Sequence, residues 1–144
     1  MKTRRALALA ALLATPLGCY TGMAPYARPH AVIRRDPARL FDAVREAATA
    51  QGLRIVNERR DRGLVEAVTA TVPLGDMKSR ERWSFAVRAH DVAVEMHPET
   101  ALEGETRWER DTRVCDCYQY AREREMLRAI RARADASVAR AGGG

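Results

Sequence analysis

Serine, histidine and lysine are scarce in this chain, and each scarcity removes a class of chemistry. The serines are Ser79, Ser84 and Ser137. None sits in a glycine elbow, and Ser84 falls on the outer face of an expected strand, so a nucleophile with its base and orienter cannot be assembled on paper. The histidines are His30, His90 and His97. His90-Asp91 reads as a turn and His97 as an exposed strand end. There is no glycine-rich loop of the kind that cradles phosphate. The chain therefore reads as a non-enzyme that needs no cofactor. Lysine occurs only at positions 2 and 78, and every other basic residue is arginine. The net charge of +6 includes Lys2, Arg4 and Arg5, which leaves +3 for the remainder. Those charges are mixed in sign throughout, which is no footprint for nucleic acid.

What is present begins with the first nineteen residues. Lys2, Arg4 and Arg5 precede an apolar run from Ala6 to Leu17, broken only at Thr15 and Pro16 and closed by Gly18-Cys19. A basic head followed by an apolar run of ~7–15 residues and a small residue is a secretory signal. The run is shorter than the ~20 residues that a membrane-spanning helix requires. A good Ala-x-Ala cleavage site is missing after it, because Ala8-Leu9-Ala10 lies inside the run and a cut after Ala24 would leave Pro25 next.

Pro16-Leu17-Gly18-Cys19 resembles the lipobox of bacterial lipoproteins. In that family the cysteine receives a diacylglycerol on its sulfur and becomes the mature N-terminus. Gly18 and Cys19 fit the pattern, whereas Pro16 stands where leucine is usual and Leu17 where a small residue is usual. The resemblance covers residues 1–19. It implies a signal peptide over 1–18, palmitate-type acylation at Cys19, and a protein anchored by lipid in the bacterial cell envelope. The outer membrane is favoured over the inner, with the domain facing the periplasm.

Residues 19–29 read as a lipid-anchored tether, punctuated by Gly22, Pro25 and Pro29. Ten extended residues reach at most ~35 Å. The folded domain is expected over residues 30–140, with 141–144 a disordered tail. Ala31 to Arg34 reads as a short strand. Asp36-Pro37 starts a helix, since Asp caps exposed N–H groups and Pro is tolerated in the first turn. Leu40, Phe41, Val44, Ala47 and Ala48 form its apolar stripe, and Gly52 ends it.

Strands follow. Leu53 and Ile55 lead to a turn at Arg60-Asp61-Arg62-Gly63, and Leu64 to Val72 returns. A bulge at Gly63 would reverse the register. Pro73-Leu74-Gly75-Asp76 is a second turn. Trp83, Phe85 and Val87 alternate with polar residues, as do Val92, Val94 and Met96. A two-residue turn at His90-Asp91 pairs Val87 with Val94 and Phe85 with Met96, placing both apolar sets on one face. Pro98 and Gly104 bracket a loop, and Glu105 to Val114 alternates as a further strand. Tyr118 to Ala139 reads as the longest helix, with Tyr120, Leu127, Ile130, Ala134 and Val138 on its buried stripe and Met126 beside it.

This order defines an α+β domain, a two-layer sandwich of an antiparallel sheet of four to six strands with two helices on one face. It is similar to helix-grip domains, including those of the BamC lipoproteins of the outer-membrane barrel-assembly machinery. The similarity is one of element order together with the lipid signal, and it implies no site residue.

Cys115 and Cys117 form an even pair once Cys19 is acylated. In an extended strand their Cα atoms would lie about 6.6 Å apart, at the edge of disulfide reach. A bend into the following helix would bring them closer. The alternatives are inert thiols, or a soft-metal or redox site completed by His90 or His97. Asp111 and Asp116 nearby disfavour the thiolate that a metal or redox site needs.

Three function classes stay open. The first is a non-catalytic binding or assembly module with an envelope protein partner. The second is a carrier of a small apolar ligand, in a pocket bordered by Trp83, Phe85 and Met96. The third is a thiol or metal protein centred on Cys115 and Cys117.

Overall fold

The computed structural model describes residues 29–141. The expected signal peptide, Cys19 and all but the last residue of the expected tether lie outside that range. Within it stand seven strands and two α-helices: β1 (His30–Val32), α1 (Pro37–Ala50), β2 (Arg54–Arg59), β3 (Leu64–Val68), β4 (Val72–Leu74), β5 (Met77–Arg88), β6 (Asp91–Leu102), β7 (Glu109–Arg110) and α2 (Asp116–Ala141). All pairings are antiparallel, in the order β1-β6-β5-β3-β2, with β4 also on β5 and β7 also on β6. The architecture is the expected α+β fold. The count exceeds the expected four to six by one, and two of the seven strands, β4 and β7, are short pieces at the far end of the β5–β6 hairpin.

Helix α1 starts as its sequence dictates. Asp36 Oδ1 accepts from the N–H groups of Ala38 (2.9 Å) and Arg39 (3.4 Å), satisfying donors that the first turn leaves open. Leu40, Phe41, Ala43, Val44, Ala47 and Ala48 are buried. Gly52 follows with φ +78°, the left-handed conformation that ends a helix without a Cβ penalty.

The core is one cluster. It joins the α1 stripe, Met126, Leu127, Ile130 and Ala134 of α2, and Val65, Ala67, Trp83, Phe85, Val87, Val92, Val94 and Met96 of the sheet. Both helices thus cover the same sheet face. Trp83, Met96, Val92 and Ile130 have no exposed surface. Met126 is central rather than a flanking residue, with no exposed surface of its own. Tyr120 is only partly buried.

Several expectations are corrected. The hairpin turns at Ala89-His90, so Val87 pairs with Val92, Phe85 with Val94 and Trp83 with Met96. The expected register was off by two residues, an even shift that keeps every side chain on its expected face. Ala89 has φ +52°, a left-handed conformation at the first central position of the turn, where Gly is usual. The expected single strand from Leu64 to Val72 breaks into β3 and β4. The residue out of register between β2 and β3 is Val56, not Gly63.

Gly63 is instead held by two constraints. Its φ is +63°, and a Cβ there would lie 2.1 Å from the Val87 carbonyl oxygen, whose residue donates its N–H to the Gly63 carbonyl at 2.8 Å. Pro73 and Leu74 belong to β4 and not to a turn.

Pro98 lies inside β6, not at the start of a loop. The N–H groups of Val94 and Met96 point to the outer edge of β6, toward the Pro29 carbonyl and Glu123 respectively. By the alternation of the ladder, the missing N–H of Pro98 falls on that same edge, where Pro costs no ladder bond. The expected strand over Glu105 to Val114 reduces to the two residues of β7. Asp111 ends it by accepting from the Arg113 N–H at 3.0 Å, a local turn that competes with strand pairing. Helix α2 begins earlier than expected because the Cys115 carbonyl accepts from the N–H groups of Tyr118 and Gln119. It also runs through Ala141, so that residue is not part of a tail.

Candidate functional site

The β5–β6 hairpin is longer than the helix layer that covers it. Its half near the turn carries Trp83, Phe85, Val87, Val92, Val94 and Met96 into the core. Along the same face, the far half carries Met77, Ser79 and Glu81 on β5 and Pro98, Thr100 and Leu102 on β6. The first turns of α2 meet this stretch at its near end, at Glu81. Strand β4, the segment after β7 and the first turns of α2 rise around it and leave an open groove of about 660 Å³.

Apolar side chains line the groove and its surroundings. Val72, Leu74 and Tyr118 line it and are about half exposed, as is neighbouring Leu102. Pro98, Val114 and Ala70 add to the wall. An apolar cluster open to solvent is more informative than single exposed residues.

The groove's polar end is built around Glu81. Its carboxylate accepts from Trp83 Nε1 at 3.1 Å, the Tyr118 hydroxyl at 2.9 Å and Arg122 Nη2 at 3.3 Å. Its backbone is fixed as well, since the Glu81 N–H donates to Thr69 Oγ1 and its carbonyl accepts from the Thr69 N–H. A buried indole N–H needs an acceptor, and Glu81 supplies one two residues away on the same strand face.

Burial raises the Tyr118 pKa, and the hydrogen bond to the Glu81 carboxylate raises it further. Burial opposes the Arg122 charge, but the bond and charge of Glu81 outweigh it and hold the guanidinium pKa above its ordinary value. Arg122 also lies over the Trp83 ring, 5.6 Å from its centre, and pairs with Glu125 at 3.2 Å. The cluster clamps the start of α2 onto the hairpin. Chemically it is a carboxylate that already accepts three hydrogen bonds beside a phenol whose raised pKa favours its neutral form, an arrangement that can orient a bound group.

The opposite sheet face carries charge. Arg80 pairs with Glu99 at 2.8 Å and lies 4.0 Å from the centre of the Trp108 ring. Glu66 accepts from Asn57 and Arg82, and these bonds, that of Asn57 foremost, hold its carboxyl below the usual carboxylate range.

The structure distributes the residues singled out in the sequence. Cys115 and Cys117 are joined by a disulfide, with sulfurs 2.07 Å and Cα atoms 5.3 Å apart. The bend into α2 brings them closer than an extended strand would. His90 faces the backbone carbonyl of Arg35 through Nδ1 at 2.8 Å, and His97 Nε2 pairs with Glu95 at 2.8 Å. Each histidine is thus engaged away from the cysteines. Among the described residues, no three His, Cys, Asp or Glu side chains are grouped as a metal would require. Ser79 lines the groove, Ser84 lies on the opposite face of the sheet, and the Ser137 hydroxyl donates to the Ala134 carbonyl. Trp83, Phe85 and Met96 fill the core, and their side chains do not border the groove.

Glu81, Tyr118 and Arg122 were not singled out. The available signals were the two-residue spacing from Glu81 to Trp83 and the four-residue spacing from Tyr118 to Arg122, which put each pair on one face. Glu123 and Gln119 were also missed. Both are buried, and Glu123 Oε1 accepts from the Met96 N–H at 2.8 Å. That carboxylate fills the gap that β1 and β7 leave on the outer edge of β6.

No family model matches the chain. No curated protein matches it either. Among solved structures it is similar to a DUF4468 family protein from Bacteroides ovatus, at 14% identity over 82% of this chain and 85% of that one, with a TM-score of 0.43.

Proposed function

We propose that the chain is a lipid-anchored envelope lipoprotein that binds an extended, apolar segment of a partner protein along the groove beside β4. The observation that carries the binding reading is the open groove itself, whose apolar wall of Val72, Leu74 and Tyr118 is about half exposed. Among the described residues β4 pairs only with β5, and its outward-facing position is Pro73, which leaves a carbonyl but no N–H on that edge. Side chains of the bound segment, seated against Val72, Leu74 and Tyr118, therefore carry the contact rather than a continued ladder. The Glu81 cluster supports binding over catalysis, because its carboxylate already holds three donors.

Anchoring rests on Gly18-Cys19 at the end of the apolar run. Two or more acyl chains hold a protein stably at a membrane, where one does not. The test is radiolabelled palmitate in cells producing the wild type or Cys19→Ser. Label in the wild type alone is expected; equal label in both, or none in either, contradicts the anchor. Binding is read by a photo-crosslinking residue in place of Val72, with one at exposed Thr49 on α1 as control. A discrete adduct with an envelope protein is expected from position 72 and not from position 49. The same adducts from both positions, or none from position 72, would refute the groove.

A further inference from the structure

The described chain enters the fold at Pro29, which is buried and whose carbonyl accepts from the Val94 N–H at 3.2 Å. Pro29, His30 and Ala31 form one wall of a second groove, about 400 Å³, whose other wall is α2. Tyr120, Arg124, Leu127, Arg128 and Arg131 line that wall. Arg124, Arg128 and Arg131 are spaced four and three residues apart, so they share one helix face, and all three are exposed.

The contacts these arginines make leave their charge in place. Arg124 lies over the Tyr120 ring at 5.7 Å, Arg128 donates to the Arg124 carbonyl at 3.4 Å, and Arg131 to the Val32 carbonyl at 3.5 Å. Of the acids on α2, Glu123 is turned to Met96, Glu125 to Arg122 and Asp135 to Arg35, while Asp116 stands at the start of the helix, before the arginine face begins. Residues 19–28 contain no acidic side chain and add Arg28.

We infer that this arginine face is a docking surface for an anionic lipid bilayer. It lies where the chain arrives from Cys19, ten residues before Pro29 and so within ~35 Å of it. The inference rests on the anchoring reading, which places a bilayer within that reach. Tether and face then act together: the acyl chains keep the bilayer at high effective concentration, and the guanidinium groups decide which side of the domain meets it. Tyr120 sits in the same groove, and tyrosine is a residue that favours the headgroup level. Such an orientation fixes the domain with α2 toward the lipid. Each arginine near an anionic surface is worth roughly five-fold in membrane contact, so the three together give on the order of 100-fold, screened by salt.

The test uses the mature lipidated protein, with an environment-sensitive fluorescent amino acid in place of Ala121. That position is exposed and shares the face of Arg124 and Arg128. Vesicles are made of phosphatidylcholine alone, or with one third phosphatidylglycerol. Flotation with neutral vesicles reads the anchor, and the emission of residue 121 reads the face. A blue shift on anionic vesicles is expected, reversed by 0.5 M salt as an order-of-magnitude condition and absent on neutral ones. The triple variant Arg124→Gln, Arg128→Gln, Arg131→Gln should still float with both vesicle types and lose the shift. Equal emission on the two vesicle types, or a shift that survives the triple variant, overturns the inference. If the protein fails to float with neutral vesicles, the anchor reading falls. Flotation with anionic vesicles alone then still supports the arginine face, and no flotation with either overturns it.

Discussion

The two halves of the β5–β6 hairpin share one ladder, yet they are covered differently. Near the turn, Trp83, Phe85 and Val87 meet Met96, Val94 and Val92 across the ladder and lie under both helices. At the far end, Met77, Ser79 and Glu81 meet Leu102, Thr100 and Pro98 on the same face, and α2 touches this stretch at Glu81, through Tyr118 and Arg122, rather than covering it. A strand's alternation tells which side chains share a face. What covers that face decides whether it becomes core or site. The change from Trp83 to Glu81 on β5 marks where apolar packing against the helices gives way to hydrogen bonds from the first turns of α2.

The largest expected effect lies in the covered half. Trp83→Ala should cost about 3–5 kcal/mol, the range for truncating a buried aromatic, measured by urea unfolding. A loss below about 1 kcal/mol would erase the difference between the halves.

Next comes the carboxylate that closes the edge of β6. Glu123→Ala leaves the Met96 N–H without its acceptor and should cost about 1–3 kcal/mol. Glu123→Gln keeps an acceptor in place and should cost less. Equal losses for the two variants would mean that the carboxylate's charge, not its hydrogen bond, matters there.

The boundary between the halves should respond to alkali. Tyr118 has a raised pKa in the folded state, so the native protein holds that proton more tightly than the unfolded chain does. Its contribution is fully present below the ordinary tyrosine value of about 10 and is lost as pH rises through the folded value. Tyr118→Phe should remove that part of the alkaline loss. An unchanged pH profile in the variant would place the loss elsewhere.

The covered half was the legible one. Apolar alternation and the α1 stripe point to one core because burial there needs nothing but side chains of the right period. The hairpin register was misplaced because the turn was assigned by residue type to His90-Asp91. The chain instead bends at Ala89, whose left-handed backbone no residue preference would suggest. The far half was harder to read. Pro98 looks like a strand end until its missing N–H is seen to fall on an open edge. The alternation of Glu105 to Val114 looks like a strand, but only two of its residues find a partner. Glu81 and Glu123 are charged, and hydrophobic periodicity cannot mark a buried or half-buried acid. Their roles come from tertiary hydrogen bonds.

On the reading proposed above, the covered half holds the fold and the far half binds the partner segment. Leu74→Glu tests it directly, in the chain that carries the photo-crosslinking residue at Val72. Leu74 is 52% exposed, so the change should leave urea stability within about 0.5 kcal/mol of the parent while abolishing the adduct with the partner. A large loss of stability, or an adduct undiminished by a charge set in the groove, would contradict it.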